Sequence, residues 1–217
     1  MILVKRIILF ITLLFIRQGT YASDFEGNFT FVKETLYDTS YFTFSVKANL
    51  VRIDERDSRQ QILQTLIVNT TTKSITALSP ALKLYTTIEQ RIHGVNERKQ
   101  DFVCVKTNNY KFINGYKCYQ WRMRNQSLNC EVSYWVFDGN LNSLNEVYQL
   151  LGRTEDYSKY SLYFDQIPQT IGYCPMMMIE RTLLRDEKLK VSLQHIETKK
   201  INDQVFNIPK DYKLLRS

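Results

Sequence analysis

Two histidines, four cysteines and a few adjacent carboxylates are the residues of this 217-residue chain whose types could do chemistry. A hydrolytic or acyl-transfer site needs a nucleophile, a base within reach of it, and a group that orients the base. His93 precedes Gly94 in a loop-like stretch, and His195 alternates with Gln194 and Ile196 in a strand-like one. Neither is accompanied by a Ser, Cys or Asp pattern of the required kind. Asp54 and Glu55 are consecutive, so on a strand they would point to opposite faces, and they read better as solvated turn residues than as an acid–base pair. Cys104, Cys118, Cys130 and Cys174 contain no Cys-x-x-Cys pair, which argues against a zinc site. No glycine-rich phosphate loop, His-Glu-x-x-His or Gly-x-Ser-x-Gly segment occurs. No catalytic or metal-ligating residue is assigned, and no cofactor is expected.

The other chemistry on offer is apolar contact. Aromatic residues make up 13% of the chain, with 14 tyrosines and 12 phenylalanines, enough to line a binding wall as well as fill a core. Tyr119, Trp121 and Met123 alternate with Gln120, Arg122 and Arg124, and a second aromatic run, YWVF, follows at 134–137. Met176, Met177 and Met178 form a run of the side chain best suited to an adaptable apolar surface. Each of these residues, taken singly, reads better as part of a packed core.

The elements that must position them are mostly strands. Phe25, Gly27, Phe29 and Phe31 share one face, and Phe42, Phe44, Val46, Ala48 and Leu50 share another, in the period of two that marks half-buried antiparallel sheet. Further strand-like runs cover 62–69, 74–79, 81–88, 102–107, 110–123, 130–137, 175–184 and 188–197. Asn108-Asn109 reads as a turn, Asn114-Gly115 as a bulge inside one long strand, and the charged RDEK at 185–188 as a hairpin turn. At Asp138 the period changes. Leu141, Leu144, Val147, Tyr148 and Leu151 follow helical spacing, with Asp138 and Asn140 as caps and Gly152 as the stop. Tyr157, Tyr160 and Phe164 suggest a second helical patch. The tail containing Pro209 reads as an edge or a final tie-down. The expected fold is mainly β (α+β): one curled antiparallel sheet, an unclosed half-barrel, with one or two helices in its concave face.

Residues 1–22 read as a secretory signal peptide. Lys5 and Arg6 precede an apolar run from Ile7 to Ile16, which is too short for a membrane span, and Thr20-Tyr21-Ala22 fits a cleavage site. An uncleaved anchor is the alternative. Cleavage leaves about 195 residues, 23–217, in keeping with a single domain, and a net charge of roughly +4 from the chain's +7. Charges of both signs are mixed along the chain, with no basic stripe of the kind a nucleic-acid binder shows. Four cysteines in an exported chain favour two disulfides, with three connectivities open; one bridge with two buried thiols, or none, are the other arrangements. Asn28, Asn69 and Asn125 each open a glycosylation acceptor pattern, which matters only in a eukaryotic host.

INGYKCYQW (113–121), SYWVF (133–137), the helix after DGNLNSL and the ending VFNIPKDYK (205–213) resemble secreted bacterial proteins of a domain-of-unknown-function group with the outer-membrane lipoprotein-carrier (LolA/LolB-like) fold. Only Cys118 of the four cysteines falls in a shared motif. The resemblance implies a half-barrel whose opening is plugged by helices, and a lipid, an acyl chain or another apolar ligand between sheet and helices. On that expectation the wall comprises Phe44, Val46, Tyr119, Trp121 and Met123 from the sheet and Leu144 and Val147 from the helix. It implies a non-enzymatic exported protein, periplasmic or extracellular. The expected partners are a lipid or lipidated protein, or another envelope protein; no nucleic acid is expected, and the chain is expected to be a monomer. The same fold with a filled core would instead be an envelope protein–protein interaction module.

Overall fold

The computed structural model describes residues 25–88, 102–139, 142–152, 154, 164, 167 and 172–215. Residues 1–22, the second helical patch except Phe164, and His93 lie outside the described residues.

Twelve strands form one sheet: β1 (Gly27–Thr35), β2 (Thr39–Lys47), β3 (Leu50–Arg56), β4 (Ile62–Asn69), β5 (Ser74–Ser79), β6 (Leu84–Ile88), β7 (Val103–Ile113), β8 (Tyr116–Asn125), β9 (Cys130–Asp138), β10 (Tyr173–Arg181), β11 (Glu187–Thr198) and β12 (Lys213–Leu214). Their order is β12-β6-β5-β4-β3-β2-β1-β11-β10-β9-β8-β7, so the sheet runs between two edges and does not close on itself. Neighbours are antiparallel except for β12, which ties the tail in parallel to β6, as Pro209 suggested. One α-helix, α1 (Asn142–Gly152), is found among the described residues. The result is the open, curled half-barrel that the alternation predicted.

The period of two sorts the residues. Phe44, Ile53, Leu66 and Ala77 lie opposite one another in successive strands and share a face, as do Val46, Val51, Val68 and Ile75. α1 packs on this concave side, with the Tyr148 ring 6.1 Å from Phe44. Each such buried large apolar side chain contributes about 1.5–3 kcal/mol. On the convex side, the segment after β11 folds back over β2 and β3. Lys47 Nζ donates to the Ile201 carbonyl at 3.0 Å and to Asp203 at 2.6 Å, and Ile201 and Phe206 are buried.

Several local readings change. The Phe42–Leu50 run is not one strand: the chain turns at Ala48, with φ of 49°, and Leu50 starts β3. Asn114-Gly115 is a two-residue hairpin turn joining β7 to β8, with φ of 48° and 81°, not a bulge. Both positions need φ > 0, which Asn and Gly tolerate. The bulge falls instead at Thr107–Asn109, where pairing passes from Lys106↔Trp121 to Tyr110↔Tyr119. Gln120 holds it, accepting from Thr107 Oγ1 and Asn109 Nδ2. Asn108 and Asn109 therefore lie within a strand, since hydrogen bonds to the facing residue stabilise the extra loop. The β10–β11 turn runs through Thr182–Asp186, earlier than RDEK, because Thr182 and Asp186 close it through their side chains and backbone. A further bulge, at Pro175–Met177, accommodates a proline that has no N–H to give the ladder.

The disulfide expectation is overturned: all four cysteines are free thiols. Cys118 and Cys174 flank Phe137 from opposite sides of β9, placing them two strand spacings apart, about 9–10 Å. A disulfide requires Cα atoms within about 7 Å. Cys104 lies opposite Met123 and Cys130 opposite Asn125, in different rows of the sheet. Burial favours the thiols as small apolar groups instead.

Candidate functional site

The concave face is built from two hydrogen-bonded anchors and a packed seat. Ser143 Oγ donates to the Ala48 carbonyl at 3.0 Å, fixing the start of α1 to the β2–β3 turn. Asn145 Nδ2 reaches the Tyr173 carbonyl of β10 at 3.4 Å, so the helix spans the sheet between distant strands. Leu144, Val147, Tyr148 and Leu151 are buried beneath it. Phe164 sits between Tyr148 and Tyr134, each ring centroid 5.5 Å away. Desolvation, and then the nearby Cys174, hold the Tyr148 hydroxyl well above its ordinary pKa, so it stays neutral. Burial likewise pushes the Cys174 thiol up to about 12.

Beyond the helix, toward β6 and the β12 edge, the same face opens into a cavity of about 450 Å³. Glu55, Gln64, Ala77, Ser79, Leu84 and Thr86 line it and lie on the same sheet face as Phe44, Ile53 and Leu66. Leu63, Leu78, Leu82, Tyr85 and Leu215 complete the lining. Leu215 is held there because its N–H donates to the Tyr85 carbonyl at 2.8 Å. Five of its eleven lining residues are leucines, set beside a short polar row.

That row comes from a gradient within single strands. On the concave face β3 reads Val51, Ile53, Glu55; β4 read backwards is Val68, Leu66, Gln64; β5 is Ile75, Ala77, Ser79. Pairing of Glu55 with Gln64, and of Thr65 with Leu78 next to Gln64 and Ser79, sets the polar ends side by side. An apolar floor that ends in carboxylate, amide and hydroxyl suits an amphipathic molecule, apolar along its length and polar at one end. The sequence reading missed these residues. Their signal was present as a polar residue closing each apolar series, but it becomes a site only once the three strands are in register.

None of the seven residues named from the sequence lines the cavity. Phe44, Val46, Trp121, Met123, Leu144 and Val147 are buried in the packed layer between sheet and helix. Tyr119 is separated from them: it is half-buried, with Lys117 Nζ 5.2 Å over its ring. Among the described residues two buried polar atoms are left over, Asn28 Oδ1 and the Trp121 indole nitrogen. The Trp121 Nε1–H has no hydrogen-bond partner among the described residues, although only 6% of Trp121 is exposed. An unmet buried donor costs about 1–3 kcal/mol.

Among the described residues, catalytic chemistry gains no support from geometry. His195 is exposed on β11, opposite Thr30. Asp54 and Glu55 are in the middle of the sheet, not in a solvated turn, but on opposite faces. Among the described residues no group of three or more His, Cys, Asp or Glu is placed to hold a metal ion.

The family model described as "Domain of unknown function (DUF4412)" matches residues 25–212. No curated protein matches the chain. Among solved structures, an uncharacterized conserved protein from Thermus thermophilus is similar at 6% identity and a TM-score of 0.52, over 88% of this chain and 91% of that one. The complex of Pseudomonas aeruginosa MucA/MucB gives 9% identity and a TM-score of 0.48, over 90% of this chain and 60% of that one. A putative outer membrane lipoprotein-sorting protein domain from Vibrio parahaemolyticus gives 7% and 0.34, over 83% and 88%. The first shares the fold; the other two align too loosely to add to it.

Proposed function

This chain belongs to the DUF4412 family, a domain of unknown function, and from that premise we propose that it is an exported, non-enzymatic binding protein for a lipid, an acyl chain or another amphipathic molecule. The observation that carries this reading is the leucine-lined cavity of about 450 Å³ on the helix side of the sheet. The ligand's polar end is met by Glu55, Gln64 and Ser79, and its apolar part by Leu84, Leu82 and Leu215. A longer chain extends beneath α1 along Phe44 and Val46 toward Trp121 and Met123, displacing Leu144 and Val147. The unpaired Trp121 indole N–H supports this path, since a ligand carbonyl would satisfy it. The signal-like segment at 1–22 supports a location in the periplasm or outside the cell.

The test is native mass spectrometry of the mature protein purified from its own host, followed by organic extraction. A stoichiometric lipid bound to the protein is the expected result. A clean apo mass, with no uptake on incubation with lipid, would overturn the reading. It would favour the second one, an envelope protein–protein module, which rests on the tight packing of Phe44, Val46, Met123, Leu144 and Val147.

A further inference from the structure

The β7–β8 hairpin carries one edge of the sheet, and its charge is one-sided. Between residues 103 and 125 stand Lys106, Lys111, Lys117, Arg122 and Arg124, and no Asp or Glu. Among the described residues, only Arg122 of the five is paired with a carboxylate, that of Glu131 at 2.8 Å.

Past the Thr107–Asn109 bulge the two faces of the hairpin have different environments. The inward face is clamped. Tyr116 packs on Phe137 at 4.8 Å, Ile113 and Cys118 are buried, and Lys111 Nζ lies 4.3 Å over the Trp135 ring. Asn114 Nδ2, at the turn, reaches across to the Leu193 and Gln194 carbonyls of β11 at 3.2 and 3.3 Å. The outward face is aromatic and wet: Tyr110 is 57% exposed and Phe112 66%, their rings edge to face at 6.3 Å. Lys117 Nζ sits 4.4 Å over Tyr110, presenting its charge beside the rings. Two exposed rings next to an ammonium contribute little to the core. They match a surface that is apolar just below a layer of negative charge.

We propose that this outward face, Tyr110, Phe112, Lys117 and Tyr119, seats the protein on an anionic membrane surface. The rings enter the headgroup layer, and Lys117 beside them meets lipid phosphates. A second copy docking through the same face does not fit, because it would bring like charges together around Lys117. Base stacking on a nucleic acid does not fit either, because Lys117 covers one face of Tyr110 and Phe112 meets it edge to face. The inference does not rest on the cavity.

The experiment is flotation of the mature chain with vesicles of phosphatidylcholine alone, or of phosphatidylcholine and phosphatidylglycerol in equal parts, across a salt series. Binding is expected to the anionic vesicles only, weakening as salt rises. The double variant Tyr110→Ser/Phe112→Ser is expected to bind at least about tenfold more weakly. Lys117→Gln should lose about fivefold, and Lys210→Gln, exposed elsewhere, nothing. All four positions are at the surface, so matching thermal melts confirm that each variant folds. No flotation with anionic vesicles, or undiminished flotation of the double variant, would overturn the proposal. So would a photo-crosslinker at Phe112 that captures an acidic protein with no lipid present. Leu84→Trp, which fills the cavity, should float as the parent does; its failure to float would move the membrane contact to the cavity.

Discussion

Asp54 and Glu55 are consecutive in β3 and serve opposite sides of the sheet. Asp54 faces the convex side, where Arg52 Nε donates to both its oxygens at 2.9 and 3.1 Å and Thr65 Oγ1 donates at 2.5 Å. Arg52 Nη1 in turn donates to the Val205 carbonyl at 3.0 Å, tying the folded-back tail to the strand. Glu55 faces the concave side and the cavity. One residue along a strand reverses the side-chain direction, so a single dipeptide contributes both to the tail's anchorage and to the candidate site.

Asp54→Asn is expected to lower stability by about 1.5–3 kcal/mol, because a mostly buried, charge-assisted set of bonds becomes a neutral one. Urea denaturation measures it. A midpoint unchanged from the parent would show that the Arg52–Asp54–Thr65 cluster adds nothing.

The cavity and the packed layer behind it make separable predictions. Leu84→Trp fills the cavity from a half-buried position and is expected to weaken uptake of a fluorescent fatty acid at least about tenfold, with little change in melting. Trp121→Ala removes the unpaired indole and is expected to weaken binding of long-chain ligands more than short ones. Trp121→Ala binding every chain length as the parent does would confine the ligand to the outer cavity.

The thiols should differ in reactivity. Burial pushes Cys118 and Cys130 up to about 11 and Cys174 to about 12, and raises Cys104, which is only half-buried, by a smaller step. At neutral pH the native protein is expected to be alkylated slowly and first at Cys104. In denaturant without reductant all four should react, and fewer than four additions would reveal a bridge.

Acid should loosen the tail next to the cavity before the sheet. Hydrogen bonding to Lys83 holds the Asp211 carboxyl below its ordinary value, with a 2.9 Å contact between them. A depressed folded-state pKa stabilises above the unfolded-state value, and the contribution is lost as pH falls through the folded one. Amide exchange at Lys213 and Leu215, whose N–H groups donate to the Lys83 and Tyr85 carbonyls, should rise over that window. In Asp211→Asn the rise should be absent because exchange is already fast. Pairs at the sheet's centre, such as Phe44 with Ile53, should stay protected in both.

Most strands, the buried face of each and the position of α1 were legible in the sequence, because they depend on periods of two and 3.6 that the backbone itself imposes. Phe29, Phe31, Phe44 and Val46 are buried as their alternation requires. Asn-Asn and Asn-Gly were assigned the wrong way round because both dipeptides tolerate positive φ; which one turns the chain depends on whether a facing residue holds the other in place. Gln120 does so for Asn109, and its side chain lies eleven residues away in sequence.

Sequence alone determined the class of this protein: an aromatic, alternating, mainly β chain with one or two amphipathic helices and no nucleophile–base pattern. These are local properties, set by side-chain type and backbone geometry. Tertiary structure alone decided where it opens. Tyr119 leaves the buried row of Trp121 and Met123 because the hairpin tip curls over β9–β11, fixed by Asn114 on β11. Glu55, Gln64 and Ser79 form a site because register brings three separate strand ends together, and register is chosen by the long-range burial of the whole face.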